Sequence, residues 1–282
     1  MTLGDALARA ASYLGERGVE SPRLDAELLL SKALGLSRIE LYMHHDRPLT
    51  EPELAAAREL VRRRGRREPL AYVLGEWGFR RLTLAVDARV LVPRPETEVV
   101  VERCLELLRG REAPAVLDVG TGSGAIALAI ADEHPGARVH AVDASEDALA
   151  VARENAARAG LDVAFARRDL RDGLDGPGGG FDLVVSNPPY VTAPELAAAQ
   201  PEVREWEPRA ALLDEEQTEA VVRAAREVLA PGGWLVLEVA EARAVSVCTA
   251  LATLGYALVS TSRDLAGRER VVEGRWEPST TR

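Results

Sequence analysis

Val116-Leu117-Asp118-Val119-Gly120-Thr121-Gly122-Ser123-Gly124-Ala125-Ile126 runs from an apolar strand pattern through three alternating glycines into the apolar start of a helix. Glycine at those points permits a tight turn and lets a ligand approach the backbone at a helix N-terminus. Asp143 ends the next strand pattern, 23 positions after Gly120. A carboxylate there can accept both ribose hydroxyls of an adenosine-bearing cofactor. Gly120, Gly122 and Ala125 also satisfy the looser pattern G-x-G-x-x-G/A, so NAD and S-adenosylmethionine both fit the loop alone. Asp118 leans toward the second, because a carboxylate disfavours a pyrophosphate and suits a cationic sulfonium with an ammonium tail.

Outward from this loop, strand and helix patterns alternate. Strands are predicted at 114–119, 138–143, 162–167, 181–186, 233–239, 256–262 and 269–275, with helices between them. That rhythm gives an α/β fold, a mostly parallel seven-stranded sheet covered by helices on both faces. Asp175 to Gly180 reads as a flexible loop before the fourth strand. Upstream, Leu3, Leu7, Ala10 and Leu14 recur at helical spacing before Gly18, Leu24, Leu28 and Leu34 mark a second helix, Ile39 to Met43 a third and Glu51 to Arg64 a fourth. Leu82, Leu84 and Val86 alternate, with Gly75 and Gly78 as punctuation, which predicts a β-hairpin in 71–92. Pro95 opens a helix to about Arg109, with Cys104 on its apolar face. The expected organisation is a helical domain at 1–70, a hairpin linker at 71–92 and the sheet domain at 93–282.

Composition narrows the function. The chain has 282 residues, 47% hydrophobic and 28% charged, with formal net charge −10. Residues up to 110 hold 18 Lys and Arg against 17 Asp and Glu; the remainder hold 17 against 28. An acidic second part argues against a protein that coats nucleic acid. Cys104 and Cys248 are the two cysteines, with no CxxC and no Cys/His cluster, so neither a disulfide scaffold nor a metal site is expected, and a reducing cytoplasm is. Asp5 interrupts the start and the longest clean apolar run is Ala125 to Ala131, so neither a signal peptide nor a membrane span is expected.

The most informative chemistry lies in Phe181-Asp182-Leu183-Val184-Val185-Ser186-Asn187-Pro188-Pro189-Tyr190. Ligands of open parallel sheets sit beyond the carboxyl ends of the strands, so Asn187 belongs near Gly120–Gly124. Two prolines cannot continue a central strand and instead stiffen a loop. A planar amide or aromatic amino nitrogen is a poor nucleophile because its lone pair is delocalised. The Asn187 side-chain oxygen and the Pro188 carbonyl can accept its two N–H bonds and aim that lone pair at a sulfonium methyl, which is preorganised electrostatic stabilisation. Tyr190 offers a face for a flat group. The two motifs together point to an enzyme that methylates a planar nitrogen.

The loop with Asn-Pro-Pro-Tyr resembles class I (Rossmann-like) methyltransferases acting on amino groups of adenine, guanine or glutamine. Leu91-Val92-Pro93-Arg94-Pro95-Glu96-Thr97-Glu98, Glu68 to Gly75 with Phe79, Glu207 to Leu212, Pro231-Gly232-Gly233, Glu238, and Asp264 with Gly267, Arg268 and Arg270 make the chain similar to the release factor N5-glutamine methyltransferase family over nearly its whole length. The chain departs from that family at Leu213–Gln217 and after Glu238. The resemblance implies S-adenosylmethionine as methyl donor, no metal, and the glutamine of the Gly-Gly-Gln motif of class 1 peptide chain release factors as acceptor. It implies a cofactor site of Asp118, Gly120, Thr121, Gly122, Ser123, Gly124, Asp143, Asp169, Leu170 and Asn187. It implies that Asn187, Pro188, Pro189 and Tyr190 receive the glutamine, with Asn187, Pro188 and Tyr190 as the catalytic group. Residues 1–70 would grip the release factor. A cytoplasmic monomer without stable nucleic-acid or membrane binding is expected. Pro93 to Glu98 favours a release factor over a ribosomal protein as the glutamine substrate.

Amino-group methylation of RNA or DNA stays open as an alternative, supported by Arg62, Arg63, Arg64, Arg66 and Arg67. These arginines otherwise read as a solvated helix end favoured by the helix dipole. Glu96 and Glu98 read as first-turn carboxylates that could also wall the site. His44 and His45 read as surface polar residues.

Overall fold

The N-terminal helices begin where side chains can satisfy their first free N–H groups. Thr2 and Asp5 form a capping box on α1 (Leu3–Glu16), and Pro22 opens α2 (Pro22–Leu34). Ser37 with Glu40 caps α3 (Arg38–Met43), and Thr50 with Glu53 caps α4 (Glu51–Gly65). Such caps contribute about 1 kcal/mol each. Leu3, Leu14, Ala26, Leu29, Leu30 and Leu41 form the core of these helices. Leu24 and Leu28 set the expected period of α2, yet its buried face is Asp25, Ala26, Glu27, Leu29 and Leu30, and Leu24 is exposed.

Two expectations need correction here. Helix α5 (Leu70–Leu74) occupies the start of the expected hairpin. Its five residues are too few to show a period, and Gly75, in the left-handed conformation at φ 72°, ends it rather than punctuating strands. The hairpin itself is β1 (Glu76–Phe79) and β2 (Leu82–Ala85). The arginine cluster is a solvated helix end only in part: Arg62 and Arg66 are exposed, and the others are not. Arg64 is buried, with Nε 2.7 Å from Asp25 Oδ2 and Nη1 2.7 Å from Glu202 Oε1. Arg67 Nη2 lies 2.6 Å from Glu202 Oε2, Arg63 pairs with Glu68 and Arg62 with Glu59.

The computed structural model describes residues 1–174, 180–213 and 216–278. Asp175–Gly179 of the expected flexible loop, and Asp214 and Glu215 of one family departure, lie outside them. Met1–Glu76 with Ala199–Trp206 form one compact unit, and Trp77–Ala198 with Glu207–Arg282 the other. The segment that returns to the first unit carries Glu202, the partner of Arg64 and Arg67.

The second unit follows in chain order as α6 (Pro95–Leu107), β3 (Ala115–Val119), α7 (Ala125–Glu133), β4 (Arg138–Asp143), α8 (Glu146–Ala159), β5 (Ala164–Arg167), β6 (Phe181–Ser186) and α9 (Ala193–Ala198). After α10 (Pro201–Trp206), which belongs to the first unit, come α11 (Gln217–Val228), β7 (Leu229–Glu238), α12 (Ala244–Thr253), β8 (Tyr256–Arg263) and β9 (Glu269–Trp276). Seven of these strands form one sheet in the order β5-β4-β3-β6-β7-β9-β8. β3 pairs in parallel with β4 and β6, and β6 with β7; β9 runs antiparallel to both β7 and β8. The mostly parallel sheet is thus the one the alternating pattern predicts.

Strand alternation sorts side chains between two cores. Val116, Leu183, Val185 and Val236 pack with Val100, Val101 and Cys104 of α6 and with Ile126–Ile130 of α7. Leu117, Val119, Val184, Leu235 and Leu237 pack with Val221, Val222 and Ala225 of α11 and with Val247 and Leu251 of α12. No helix among the described residues is long and apolar enough to cross a membrane.

Candidate active site

The progression of strands reverses between β3 and β6, the switch point where open parallel sheets hold their ligands. A cavity of about 420 Å³ lies at the carboxyl ends of these strands. That volume falls in the range of ligand pockets, roughly 300–1,000 Å³. Gly120, Thr121, Gly122, Ser123, Asp143, Asp169, Leu170, Asn187, Pro188 and Pro189 line it. Asp118, Gly124 and Tyr190 do not.

The glycine loop is tied to its neighbours by backbone bonds. The N–H groups of Gly120 and Thr121 both donate to Val142 O, at 2.8 and 3.0 Å. Gly120, at φ 74°, and Gly124, at φ 83°, occupy the left-handed region that glycine adopts without strain. A Cβ built on Gly120 or Gly122 would meet no atom within 4 Å, whereas one on Gly124 would sit 3.0 Å from Leu128 Cδ1. The first two glycines therefore leave room for a ligand, and the third lets the loop close onto α7. Asn155 of α8 holds the loop from behind. Its Nδ2 donates to Ser123 O at 2.9 Å and to Ala85 O at 3.1 Å, and its Oδ1 accepts from Ala85 N at 2.7 Å.

Asp118 lies under the loop, not in the cavity. Alternation along β3 places it on the Val116 face, toward α7. Oδ2 accepts from Thr121 Oγ1 at 2.6 Å and from Ala127 N at 3.2 Å, while Oδ1 is buried without a partner among the described residues. Burial pushes this carboxyl up to about 7, against the pull of those two bonds. Asp143 faces the cavity, with Oδ2 accepting from Gly122 N and Oδ1 from Ser145 N, each at 2.9 Å. Burial raises its pKa as well. Asp169 is held down to about 2 by the Arg171 guanidinium, 2.5 Å away, and by the Arg171 backbone N–H. A cavity-facing carboxylate at the end of β4, open backbone beside two glycines and the apolar Leu170 together could hold an adenosine-bearing methyl donor.

At the far end of β6 a buried polar chain connects three elements. Asn187 Nδ2 donates to Thr97 Oγ1 at 3.3 Å; Thr97 Oγ1 donates to Glu238 Oε2 at 2.7 Å; Tyr190 Oη donates to Glu238 Oε1 at 3.1 Å. Burial raises the Glu238 carboxyl and, with the charge of Glu238, the Tyr190 phenol. Glu96 and Glu98 stay outside the cavity wall: Glu96 Oε1 accepts from Arg268 Nη2 at 3.1 Å and Glu98 Oε1 from Arg80 N at 2.9 Å. Arg94 lines the cavity instead, and its Nη2 lies 2.6 Å from both oxygens of the buried Glu207. Asn155 and the structural pairing of Arg94 with Glu207 carry no local sequence signal, because their partners are distant in the chain.

Comparisons with known proteins agree with this geometry. Residues 5–75 match the PrmC N-terminal domain and residues 116–206 a methyltransferase domain. The chain is 46% identical over 280 residues to a release factor glutamine methyltransferase of Geobacter sulfurreducens, covering 97% of this chain and 96% of that one. A protein of the same name from Deinococcus radiodurans is 44% identical over 281 residues, covering 98% and 99%. In fold, the chain is similar to a T. thermophilus 16S rRNA N2 G1207 methyltransferase in complex with AdoMet and guanosine, with a TM-score of 0.51 at 19% identity, covering 71% of this chain and 49% of that one.

Proposed function

We propose a role for each site residue from one premise: the chain belongs to the release factor glutamine methyltransferase family. It transfers a methyl group to the side-chain nitrogen of the glutamine in the Gly-Gly-Gln motif of class 1 release factors. The observation that carries the chemistry is the Asn187 amide, which lines the cavity beside the glycine loop with its nitrogen bound to Thr97. Its oxygen is therefore the end left for an incoming N–H donor.

S-adenosylmethionine, when bound, supplies the electrophilic methyl and keeps the electron pair of the broken S–C bond. Gly120, Thr121, Gly122 and Ser123 give it a backbone cradle, with Gly124 closing the loop; Asp143 takes the ribose hydroxyls; Asp169 and Leu170 flank the adenine. Asp118 acts from beneath the loop, holding it through its bond to Thr121. Asn187 Oδ1 and the Pro188 carbonyl accept the two N–H bonds of the glutamine amide. That pulls the nitrogen toward tetrahedral geometry and stabilises the positive charge that develops as the N–C bond forms. The surplus proton is then acidic and leaves to solvent. Pro189 stiffens the loop, and Tyr190, outside the cavity lining, ties it to Glu238.

The helical unit grips the release factor. We place the protein in the cytoplasm as a monomer without stable nucleic-acid or membrane association. Four of the five arginines that could have drawn nucleic acid, Arg62, Arg63, Arg64 and Arg67, are paired with Glu59, Glu68, Asp25 and Glu202. The test is incubation with isotopically labelled S-adenosylmethionine and a release factor, followed by peptide mass spectrometry. One added methyl on the Gly-Gly-Gln glutamine is expected; a label found elsewhere or not at all overturns the substrate. Asn187→Ala should lower kcat by about 10²-fold or more with cofactor affinity largely kept, the scale of removing one contact aimed at transition-state charge.

A further inference from the structure

We propose that Thr97 and Glu238 are positioning residues that hold the Asn187 amide with its oxygen toward the acceptor glutamine. The inference rests on Asn187 being the residue that accepts the substrate N–H. An asparagine amide is nearly symmetric in shape, so packing alone scarcely distinguishes its two orientations. A reversed amide would present N–H to N–H and offer the glutamine no acceptor. Something must therefore fix its direction.

The chain of hydrogen bonds does so by proton count. Thr97 has one hydroxyl proton, and Glu238 Oε2 accepts it at 2.7 Å. The Thr97 oxygen is then an acceptor only, and Asn187 can meet it only through Nδ2, as observed at 3.3 Å. The carboxylate cannot turn away, because its second oxygen is held by Tyr190 Oη at 3.1 Å. Glu238 and Thr97 are both buried, at 1% and 4% exposure, so water does not substitute for either bond.

The fold brings the three together for separate reasons. Glu238 ends β7 on the same face as Val236, the face that packs against α6. Thr97 lies in the first turn of α6. Asn187 follows Ser186, which pairs with Leu237, the residue before Glu238. Burial raises the Glu238 carboxyl, and the bonds from Thr97 and Tyr190, with the charge of Arg270, oppose that rise and favour its proton-accepting form.

The experiment compares wild type, Asn187→Ala, Thr97→Val, Thr97→Ser and Glu238→Gln for methyl transfer to a release factor. It measures kcat, KM for the release factor, S-adenosylmethionine affinity by calorimetry and the unfolding midpoint. Thr97→Val keeps the shape and removes the hydroxyl; it should lower kcat about 10-fold to 100-fold, the scale of a misoriented reacting group, with KM and cofactor affinity little changed. Thr97→Ser keeps the hydroxyl and should recover most of that loss. Glu238→Gln can donate to Thr97, releasing the Thr97 proton toward Asn187, and should lower kcat as Thr97→Val does. Thr97→Val combined with Glu238→Gln should be no worse than either single variant, because both break the same chain. A Thr97→Val enzyme with wild-type kcat beside an inactive Asn187→Ala overturns the positioning role and leaves the site reading standing. Equal loss in Thr97→Val and Thr97→Ser also overturns it. Full turnover in Asn187→Ala overturns both.

Discussion

Asp118→Asn should make the protein more stable above neutral pH while leaving it little changed in acid. Asp118 is fully buried, one oxygen has no partner among the described residues, and its pKa is raised from 3.8 to about 7 by burial. Below pH 3.8 the carboxyl is protonated in both folded and unfolded chains and contributes nothing to the pH dependence. Between 3.8 and about 7 the unfolded chain ionises while the folded one keeps its proton. Folding then grows less favourable as pH rises. Above about 7 both are ionised and the penalty is complete. At about 1.4 kcal/mol per pH unit, that interval corresponds to about 4 kcal/mol. Asparagine can keep an oxygen where Oδ2 accepts from Thr121 and Ala127, and it carries no charge to desolvate. The assay is urea unfolding of both proteins at pH 4.5, 5.5, 6.5, 7.5 and 8.5 with the difference in ΔG plotted, so that other titrating groups cancel. The variant's advantage should grow between pH 4.5 and 7.5 and then level off. A difference independent of pH would falsify the assignment of a proton to the buried carboxyl.

Gly124→Ala places a Cβ in the left-handed region at φ 83° and 3.0 Å from Leu128 Cδ1. Destabilisation of about 2 kcal/mol is expected from chemical denaturation, most of it the left-handed penalty itself, and an unchanged midpoint would contradict the loop geometry. Arg94→Met leaves Glu207 buried without its cation, so a loss of about 3 kcal/mol near neutral pH is expected, and adding Glu207→Gln should restore part of it. If the double variant is as unstable as the single one, the pair does not act as a unit.

What the sequence disclosed and withheld divides by the range of the interaction. The strand, glycine loop and helix at Val116–Ile126 were legible because turn chemistry and periodicity act within a few neighbours. The place of Asn187–Pro189 at the cavity was legible because ligands of open parallel sheets lie beyond the strand ends. Helix α5 was not, since five residues before a glycine carry no period. Within the arginine cluster, Arg64 and Arg67 misled because their acidic partners are remote: Glu202 lies 138 positions from Arg64. The bond between Thr97 and Glu238 spans 141 positions. Both residues were visible as letters of a family pattern, but only the alternation of β7 and the packing of α6 give them a shared task. Asp118 shows a subtler limit. Its charge pointed to the right ligand class, and its strand parity placed it beneath the loop instead of in the cavity.

The return of Ala199–Trp206 to the helical unit has a consequence for how the protein is made. A ribosome releases the first 76 residues long before Glu202 exists, yet Arg64 and Arg67 need that carboxylate. Until then Arg64 has Asp25 as its charged partner and the Glu68 carbonyl as a further acceptor. Most of the sheet's parallel strands are synthesised in the interval, so the nascent helical unit waits, partly completed, while the second unit begins to assemble. The ion pairs of the helical unit are thus complete only once that later segment is made, whatever the N-terminal-first tendency of domain-by-domain synthesis. A fragment ending at residue 76 would keep an arginine built for a partner that translation had yet to deliver.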